Sequence, residues 1–197
     1  MKQLIIKDFI VQRNFFIWYI IYPFLFYMAT HDNQSTFTLT TVIIPVMIIM
    51  RTFYSDEKNE SEKMFTSLPI CRKQMIWAKY MFALTILIIS VIIAYFTVGV
   101  QLRMETVNFI KMTVVPSMSL SFIIFSFMLP IYFMLGYQKT FIMTLVILIA
   151  PIFILEVFFK INIKQASFNS VFLFVGAICM MFLSMLVCTK LYERRDL

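Results

Sequence analysis

Residues 80–102 read YMFALTILIISVIIAYFTVGVQL, an uncharged and mostly apolar run that decides the fold. A helix needs about 20 mostly apolar residues to cross a bilayer, and this run supplies them. The same character extends over all 197 residues, since 61% are hydrophobic and 14% charged, against about 45–50% and about 25% in soluble domains. We therefore expect a single all-α integral membrane domain over residues 1–197.

Six segments of this kind lie between the charged residues and predict six transmembrane helices. They are residues 14–30, 33–50, 80–102, 112–138, 140–155 and 165–189. The second and fifth are short, but they extend through residues 52–54 and 157–159.

The basic residues are divided unequally between the two sides of the membrane. With six spans both termini lie on one side, and that side carries thirteen of the 17 Lys and Arg residues. The other side carries Arg103, Lys111, Lys160 and Lys164. Because cytoplasmic loops are enriched in Lys and Arg, this distribution predicts cytoplasmic termini. It also explains the net charge of +7 without a nucleic acid partner.

Sequence signals for nucleotide, metal or covalent chemistry are missing. The chain has 3 Gly and contains neither G-x-x-x-x-G-K-[ST] nor G-x-G-x-x-G, the patterns that cradle phosphate groups. Its 1 His is His31, and its 3 Cys, at Cys71, Cys179 and Cys188, form no C-x-x-C pair. We expect that the chain itself binds no cofactor or metal and is not an enzyme.

Glu156 is the one acidic residue that interrupts the apolar segments, which makes it a candidate substrate or outer-gate residue. It lies four residues before Lys160, so an ion pair at the outer membrane boundary is the alternative. Proton paths and intramembrane proteases need more ionisable residues than this. The 16 Met and 23 Phe suit either lipid contact or a soft surface for amphipathic cargo.

The N-terminal residues 1–13 precede the first apolar segment. On a helix, Ile5, Ile6, Phe9 and Ile10 share one face, which predicts an interfacial helix on the inner leaflet. The alternative is a cytoplasmic extension of the first span.

The longest polar segment is a cytoplasmic loop at residues 51–79, between the second and third spans. Asn59 and Glu62 predict the start of a short helix. Acidic side chains favour the positive end of a helix, and four occur here, at Asp56, Glu57, Glu60 and Glu62. Pro69 ends the helix, because the residue before a proline avoids helical geometry.

This short helix has an apolar edge that suits a groove on a partner protein. The predicted contact residues are Glu60, Glu62, Lys63, Met64, Phe65, Leu68 and Pro69. Three basic residues, Arg72, Lys73 and Lys79, are predicted to mark the inner membrane boundary. The alternative is a solvated connector without a partner.

Residues 67–80, SLPICRKQMIWAKY, resemble the S-L-P-[IV]-S-R-K-x-x-[IV]-x-[AG]-K-Y signature of small ABC-2 type permeases, the membrane subunits of ATP-binding-cassette exporters. Upstream, residues 56–63 resemble the D-E-x-N-x-x-E-K pattern of the same family. Cys71 stands where the family usually has Ser, and Gln74 where it often has Glu. Because sulfur is a poor hydrogen-bond acceptor, these two residues weaken the cap of the following helix.

The resemblance implies a permease subunit of a bacterial plasma-membrane exporter, paired with a second permease as a homodimer or heterodimer. The loop would couple it to a separate ATPase subunit, which supplies the ATP and Mg²⁺ chemistry. The cargo implied is an amphipathic peptide or another hydrophobic or toxic compound, because the short chain rich in Phe and Met resembles permease subunits of staphylococcal phenol-soluble modulin exporters.

Three other functions compete with this interpretation. Substrate-capture subunits of energy-coupling-factor importers are similar in size, but they have small-residue packing patches where residues 14–30 offer only Ala29. A membrane enzyme would need a catalytic constellation that the sequence lacks. A non-transporting immunity or scaffold protein would not stimulate ATP hydrolysis by a co-purified ATPase.

Overall fold

The structure, a computed structural model, describes residues 2–30, 33–59, 72–99, 110–157 and 170–193, which are helical except at Asn59 and Gly136. The helices are α1 Lys2–Gln12, α2 Phe16–Thr30, α3 Asn33–Lys58, α4 Arg72–Ala94, α5 Val115–Leu135, α6 Tyr137–Val157 and α7 Ser170–Glu193. Short 3₁₀ or π-helical turns flank them at Arg13–Phe15, Tyr95–Gly99 and Ile110–Val114. The predicted all-α class is confirmed for the described residues.

Several helices have the length and composition of membrane spans. Four qualify within the described part of the chain: Gln34–Lys58, Lys73–Thr97, Met112–Leu135 and Val171–Leu191. Helices α1 and α2 meet at an angle of 73° and so do not form one straight span; counted together as one broken span, they would make a fifth. The part of α6 whose side chains are described, Tyr137–Leu148, is apolar but shorter than a full span. A multi-pass membrane protein is thus supported, and the count of six stays a prediction.

The central element of the bundle is α3, which contacts α1, α2, α4, α5 and α6. An apolar 18-residue stretch of α3 is 72% buried inside the protein, whereas the corresponding stretch of α7 is 28% buried and faces outward. Phe53 of α3 stacks on Tyr132 of α5, with ring centroids 3.6 Å apart. Closer to the other end, Ser121 donates a hydrogen bond to the Thr41 carbonyl oxygen, and these small side chains let the two helices approach closely.

The face predicted for α1 is divided in the structure. Ile5 and Phe9 pack against the core, whereas Ile6 and Ile10 are exposed. The most deeply buried side chains described in α1, Asp8 and Gln12, are polar. Gln12 donates a hydrogen bond to the Ile48 carbonyl oxygen of α3 at 2.8 Å. The helix is therefore held to the bundle through polar contacts as well as apolar ones.

The segment between the second and third predicted spans is shorter than expected, because α3 continues to Lys58 and α4 begins at Arg72. We call the end of the bundle where α3 stops and α4 starts the loop end. Residues 60–71 carry all seven predicted contact residues, and these lie outside the described residues: Glu60, Glu62, Lys63, Met64, Phe65, Leu68 and Pro69.

Candidate functional site

Two acids that the sequence assigned to the start of a new helix instead lie in the last turns of α3. Asp56 and Glu57 thus face the negative end of the α3 dipole, which disfavours carboxylates. Each carboxylate is compensated by a partner that is distant in sequence, and local patterning does not predict such partners.

Asp56 is the centre of a four-residue charge cluster at the loop end. The charge cluster consists of Lys7 and Asp8 from α1, Asp56 from α3 and Lys79 from α4. One Asp56 carboxylate oxygen lies 2.5 Å from the Lys7 ammonium, and the other lies 2.6 Å from the Lys79 ammonium. Lys79 also contacts Asp8 at 2.9 Å, and Lys7 closes the ring to Asp8 at 3.6 Å. The arrangement joins three helices through alternating charges.

The cluster is mostly shielded from the surroundings of the protein. Asp8 is 2% exposed and Asp56 6%, while the Lys79 side chain is 12% exposed. Buried charges are tolerated only when they are paired and hydrogen-bonded. Two lysines and two aspartates meet this condition, because they leave no formal net charge.

Burial raises the pKa of the Asp8 carboxyl above its ordinary value, although the Lys79 ammonium opposes this rise and the nearby Asp56 carboxylate adds to it. Asp8 therefore takes up a proton at a higher pH than an exposed aspartate would.

Glu57 fixes a different part of the loop end. Its carboxylate Oε2 accepts a hydrogen bond at 2.6 Å from the backbone N–H of Tyr137, the first residue of α6. Negative charge at a helix N-terminus is favourable. Gly136, which separates α5 from α6, has φ +80° and so turns the chain sharply beside Glu57. The last turns of α3 thus contact α1, α4 and the α5–α6 turn together.

Arg51 contacts the bend between α1 and α2. Its guanidinium lies 3.0 Å from the ring centroid of Phe15, a cation–π contact. Nearby, the Tyr19 hydroxyl donates to the Gln12 side-chain oxygen at 2.6 Å. Arg51, predicted at the edge of the loop, is therefore part of α3 and helps to position the N-terminal helices.

The predicted boundary residues have different environments in the structure. Lys73 is exposed, and Arg72 begins α4 with a side chain outside the described set. Lys79, predicted with them at the membrane boundary, lies between Asp8 and Asp56 with its side chain 12% exposed. The position of these residues relative to the membrane stays a prediction. Glu156 belongs to α6, but its side chain and Lys160 lie outside what the structure describes.

Sequence reasoning missed Lys7, Asp8 and Asp56 as a functional group. One local signal existed: Asp8 and Gln12 are four residues apart and form a polar stripe on a helix that is otherwise largely apolar. Among the described residues, no three His, Cys, Asp or Glu side chains lie close enough together to hold a metal ion. The contacts within the charge cluster are ion pairs between helices.

Residues 3–193 match the model of a family described as ABC-2 family transporter protein. The chain belongs to this family. The match covers α1 as well as the spans, and it makes the chain a membrane permease component of an ABC transporter, as the resemblance of residues 67–80 predicted at the family level. Membership in the ABC-2 family also implies association with an ABC ATPase component. No curated protein and no solved structure matches the chain.

Proposed function

We propose that this ABC-2 permease is the membrane subunit of an ATP-driven exporter, that it forms the translocation path with a second permease, and that residues 60–71 carry its contact with the ATPase. The charge cluster is the observation that supports this proposal. It ties α3 and α4, the two helices that flank residues 60–71, to each other and to α1.

The contacts at the loop end suit the transmission of movement. Asp56 lies three residues before Asn59, and its ion pair with Lys79 links α3 to α4 near the points where the segment begins and ends. A displacement of residues 60–71 would therefore move both helices together. The movement would reach α1 through Asp8 and α6 through Glu57. Coupling between distant sites travels through such packed and hydrogen-bonded elements.

The docking contact itself is proposed from sequence. Phe65 and Leu68 would insert their apolar side chains into a groove of the ATPase, while Glu60, Glu62 and Lys63 would set the orientation at its rim. Apolar anchors of this kind carry most of the energy of an interface, and rim charges carry much less.

The proposed topology places the loop end in the cytoplasm, where ATP is available, with six spans and both termini on that side. This topology follows from the distribution of basic residues, because loops rich in Lys and Arg lie on the cytoplasmic side of a bacterial plasma membrane. The α1 helix would lie along the inner leaflet, because it meets α2 at 73° and exposes Ile6 and Ile10.

The proposed cargo is an amphipathic peptide or a comparable hydrophobic compound. Within the described residues, the buried carboxylates, Asp8 and Asp56, belong to the charge cluster at the loop end. Farther along the bundle, the buried side chains of α5 are apolar or carry hydroxyl groups. Such surfaces suit apolar cargo better than ions.

The decisive experiment measures the ATPase that co-purifies with the permease, and cargo export, at matched protein levels. Phe65→Ala or Leu68→Ala should each weaken association by about 2 kcal/mol or more, while Ser61→Ala in the same segment serves as the control. Lys63→Ala should have a smaller effect that depends on salt concentration. Wild-type association and export in both apolar variants would refute the assignment of the coupling segment.

A further inference from the structure

Helix α5 contains Pro130 less than two turns before it ends at Leu135, and this proline interrupts the backbone hydrogen bonding of the helix. In an α-helix each N–H donates to the carbonyl oxygen four residues earlier, and proline has no N–H. The carbonyl oxygen of Ser126, a buried residue, therefore lacks its regular helical donor. Membrane bundles restore such a missing bond with a donor from a neighbouring helix.

A serine of α7 supplies this donor. The Ser184 hydroxyl donates to the Ser126 carbonyl oxygen at 2.6 Å. Because this bond uses the one proton of Ser184, the Tyr80 hydroxyl of α4 donates to Ser184 Oγ, at 2.8 Å. All three residues are buried. We call the bond from Ser184 to the Ser126 carbonyl oxygen the serine latch.

The partners of α5 differ on the two sides of Pro130. Before the proline, α5 is bonded to α7, through the serine latch and through the Ser126 hydroxyl, which donates to the Met180 carbonyl oxygen at 3.0 Å. After the proline, Tyr132 stacks on Phe53 of α3, and the α5–α6 turn is also bonded to α3. The proline thus lies between an attachment to α7 and an attachment to the loop end of α3.

Helix α3 repeats this arrangement at Pro45. The Thr41 carbonyl oxygen loses its regular donor there, and the Ser121 hydroxyl of α5 replaces it at 3.2 Å. The charge cluster and the Phe53 ring lie on the loop-end side of Pro45, whereas Ser121 is bonded on the other side. In both helices, therefore, a proline separates the contacts of the loop end from the contacts of the far half of the bundle.

We propose that α5 is hinged at Pro130, with the serine latch holding the hinge closed, so that the loop end moves as one unit against α7. Hinges place a change in backbone angles on a few residues, and proline removes the hydrogen bond that would resist this change. Pro45 lets the attached part of α3 follow. The role of the movement rests on the proposed function, because it would carry a displacement of residues 60–71 into the bundle.

The hinge is tested in the isolated permease, reconstituted into lipid vesicles without an ATPase and with its native cysteines replaced by alanine. Spin labels on Met134→Cys and Leu191→Cys report the distance between the loop-end part of α5 and α7. Labels on Leu120→Cys and Val175→Cys report the far parts of the same two helices. All four side chains are exposed, so labels there leave the core intact. We expect two distances for the loop-end pair and one for the far pair.

Removing the serine latch should open the hinge. Ser184→Ala should raise the population of the second loop-end distance about fivefold relative to the first, the change that losing one hydrogen bond typically makes to an equilibrium constant. The far pair should not change. Ser90→Ala is the matched control, because the buried Ser90 hydroxyl donates to the Leu87 carbonyl oxygen of its own helix.

The decisive step repeats Ser184→Ala in a Pro130→Ala background. Alanine restores the N–H that bonds to the Ser126 carbonyl oxygen, so the loop-end pair should show one distance and Ser184→Ala should no longer alter it. Pro116→Ala is the control for the proline, because Pro116 lies in the first turn of α5, where a missing N–H costs little. In that background Ser184→Ala should keep its full effect.

Three results would overturn the hinge. An equal effect of Ser184→Ala with and without Pro130→Ala would make the serine an ordinary packing contact. Broadening of both label pairs would mean that α5 and α7 separate along their whole length. One unchanged loop-end distance in every variant would mean that α5 is rigid. Since no ATPase is present, the hinge can fail while residues 60–71 still bind the ATPase, and the converse also holds.

Discussion

Lys79 is the residue on which the charge balance of the loop end depends. It is the only lysine of the charge cluster that lies within 3 Å of both carboxylates, Asp8 and Asp56. Without it, two buried carboxylates would share the Lys7 ammonium. Removing one partner from a buried ion-pair group typically costs about 3–5 kcal/mol, because the remaining charge is left uncompensated.

We therefore expect Lys79→Gln to lower the thermal unfolding midpoint of the detergent-solubilised permease strongly. Adding Asp8→Asn should restore much of the loss, since Lys7 and Asp56 then remain as a neutral pair. Lys73→Gln, an exposed change on the same helix, is the control. If the unfolding midpoint of Lys79→Gln were as high as that of Lys73→Gln, Lys79 would not be needed to compensate the buried Asp8 and Asp56 carboxylates.

The same site should respond to pH. Because the pKa of Asp8 is raised in the folded protein, protonated Asp8 is tolerated well there, and its ionisation costs stability as the pH rises above the ordinary value of 3.8. In Lys79→Gln, which lacks the ammonium that lowers this pKa, mild acidification should recover stability. Unfolding midpoints of Lys79→Gln, measured from neutral to acidic pH and compared with those of the variant that carries both Lys79→Gln and Asp8→Asn, would test this. A midpoint that falls in parallel for both variants would contradict it.

At the scale of helices, the turn between α5 and α6 is the most constrained connection described. Gly136 combines φ +80° with ψ 178°, a backbone region that essentially only glycine adopts. Glu57 lies beside this turn and accepts the hydrogen bond from Tyr137 at the start of α6. The α5–α6 hairpin thus has a fixed geometry and a fixed attachment to α3.

Gly136→Ala should destabilise the permease by about 1–3 kcal/mol, because alanine strains this backbone. Gly176→Ala is the matched control, since Gly176 lies inside α7 and a Cβ there would meet nothing within 4 Å. That change should leave stability the same or slightly higher, as alanine favours helices over glycine. Thermal unfolding of the two variants side by side measures the difference, and equal midpoints would show that the turn is unstrained.

At the scale of the whole molecule, hydropathy was sufficient to predict α3, α4, α5 and α7, because membrane helices are specified by local composition. It failed at the end of α3, where Asp56 and Glu57 resemble a helix start when only neighbouring residues are considered. Their true partners are 49 residues away at Lys7 and 80 residues away at Tyr137. Such pairings arise only from the packing of helices, so the charge cluster could not be predicted from a single sequence.

Topology provides the last prediction, tested in a background whose three native cysteines are replaced by alanine. Cysteine at Asn59 should resist a membrane-impermeant thiol reagent in intact cells and react after permeabilisation. Cysteine at Asn108 or Asn169 should react in intact cells. The reason is the excess of basic residues on the side that carries both termini. Labelling of Asn59→Cys in intact cells would reverse the orientation and refute the cytoplasmic loop end.

The charge cluster also has a consequence for how the protein is made. Asp8 leaves the ribosome 71 residues before Lys79, the lysine that holds both of its carboxylate oxygens. Until α4 has entered the bilayer, a buried Asp8 would have only the more distant Lys7 ammonium of the charge cluster as a counter-charge, and a poorly paired buried carboxylate is disfavoured. We therefore expect the N-terminal helix to stay at the membrane surface during synthesis and to dock after α4 has been inserted. Its docking then marks a nascent chain that has inserted correctly through its first 79 residues.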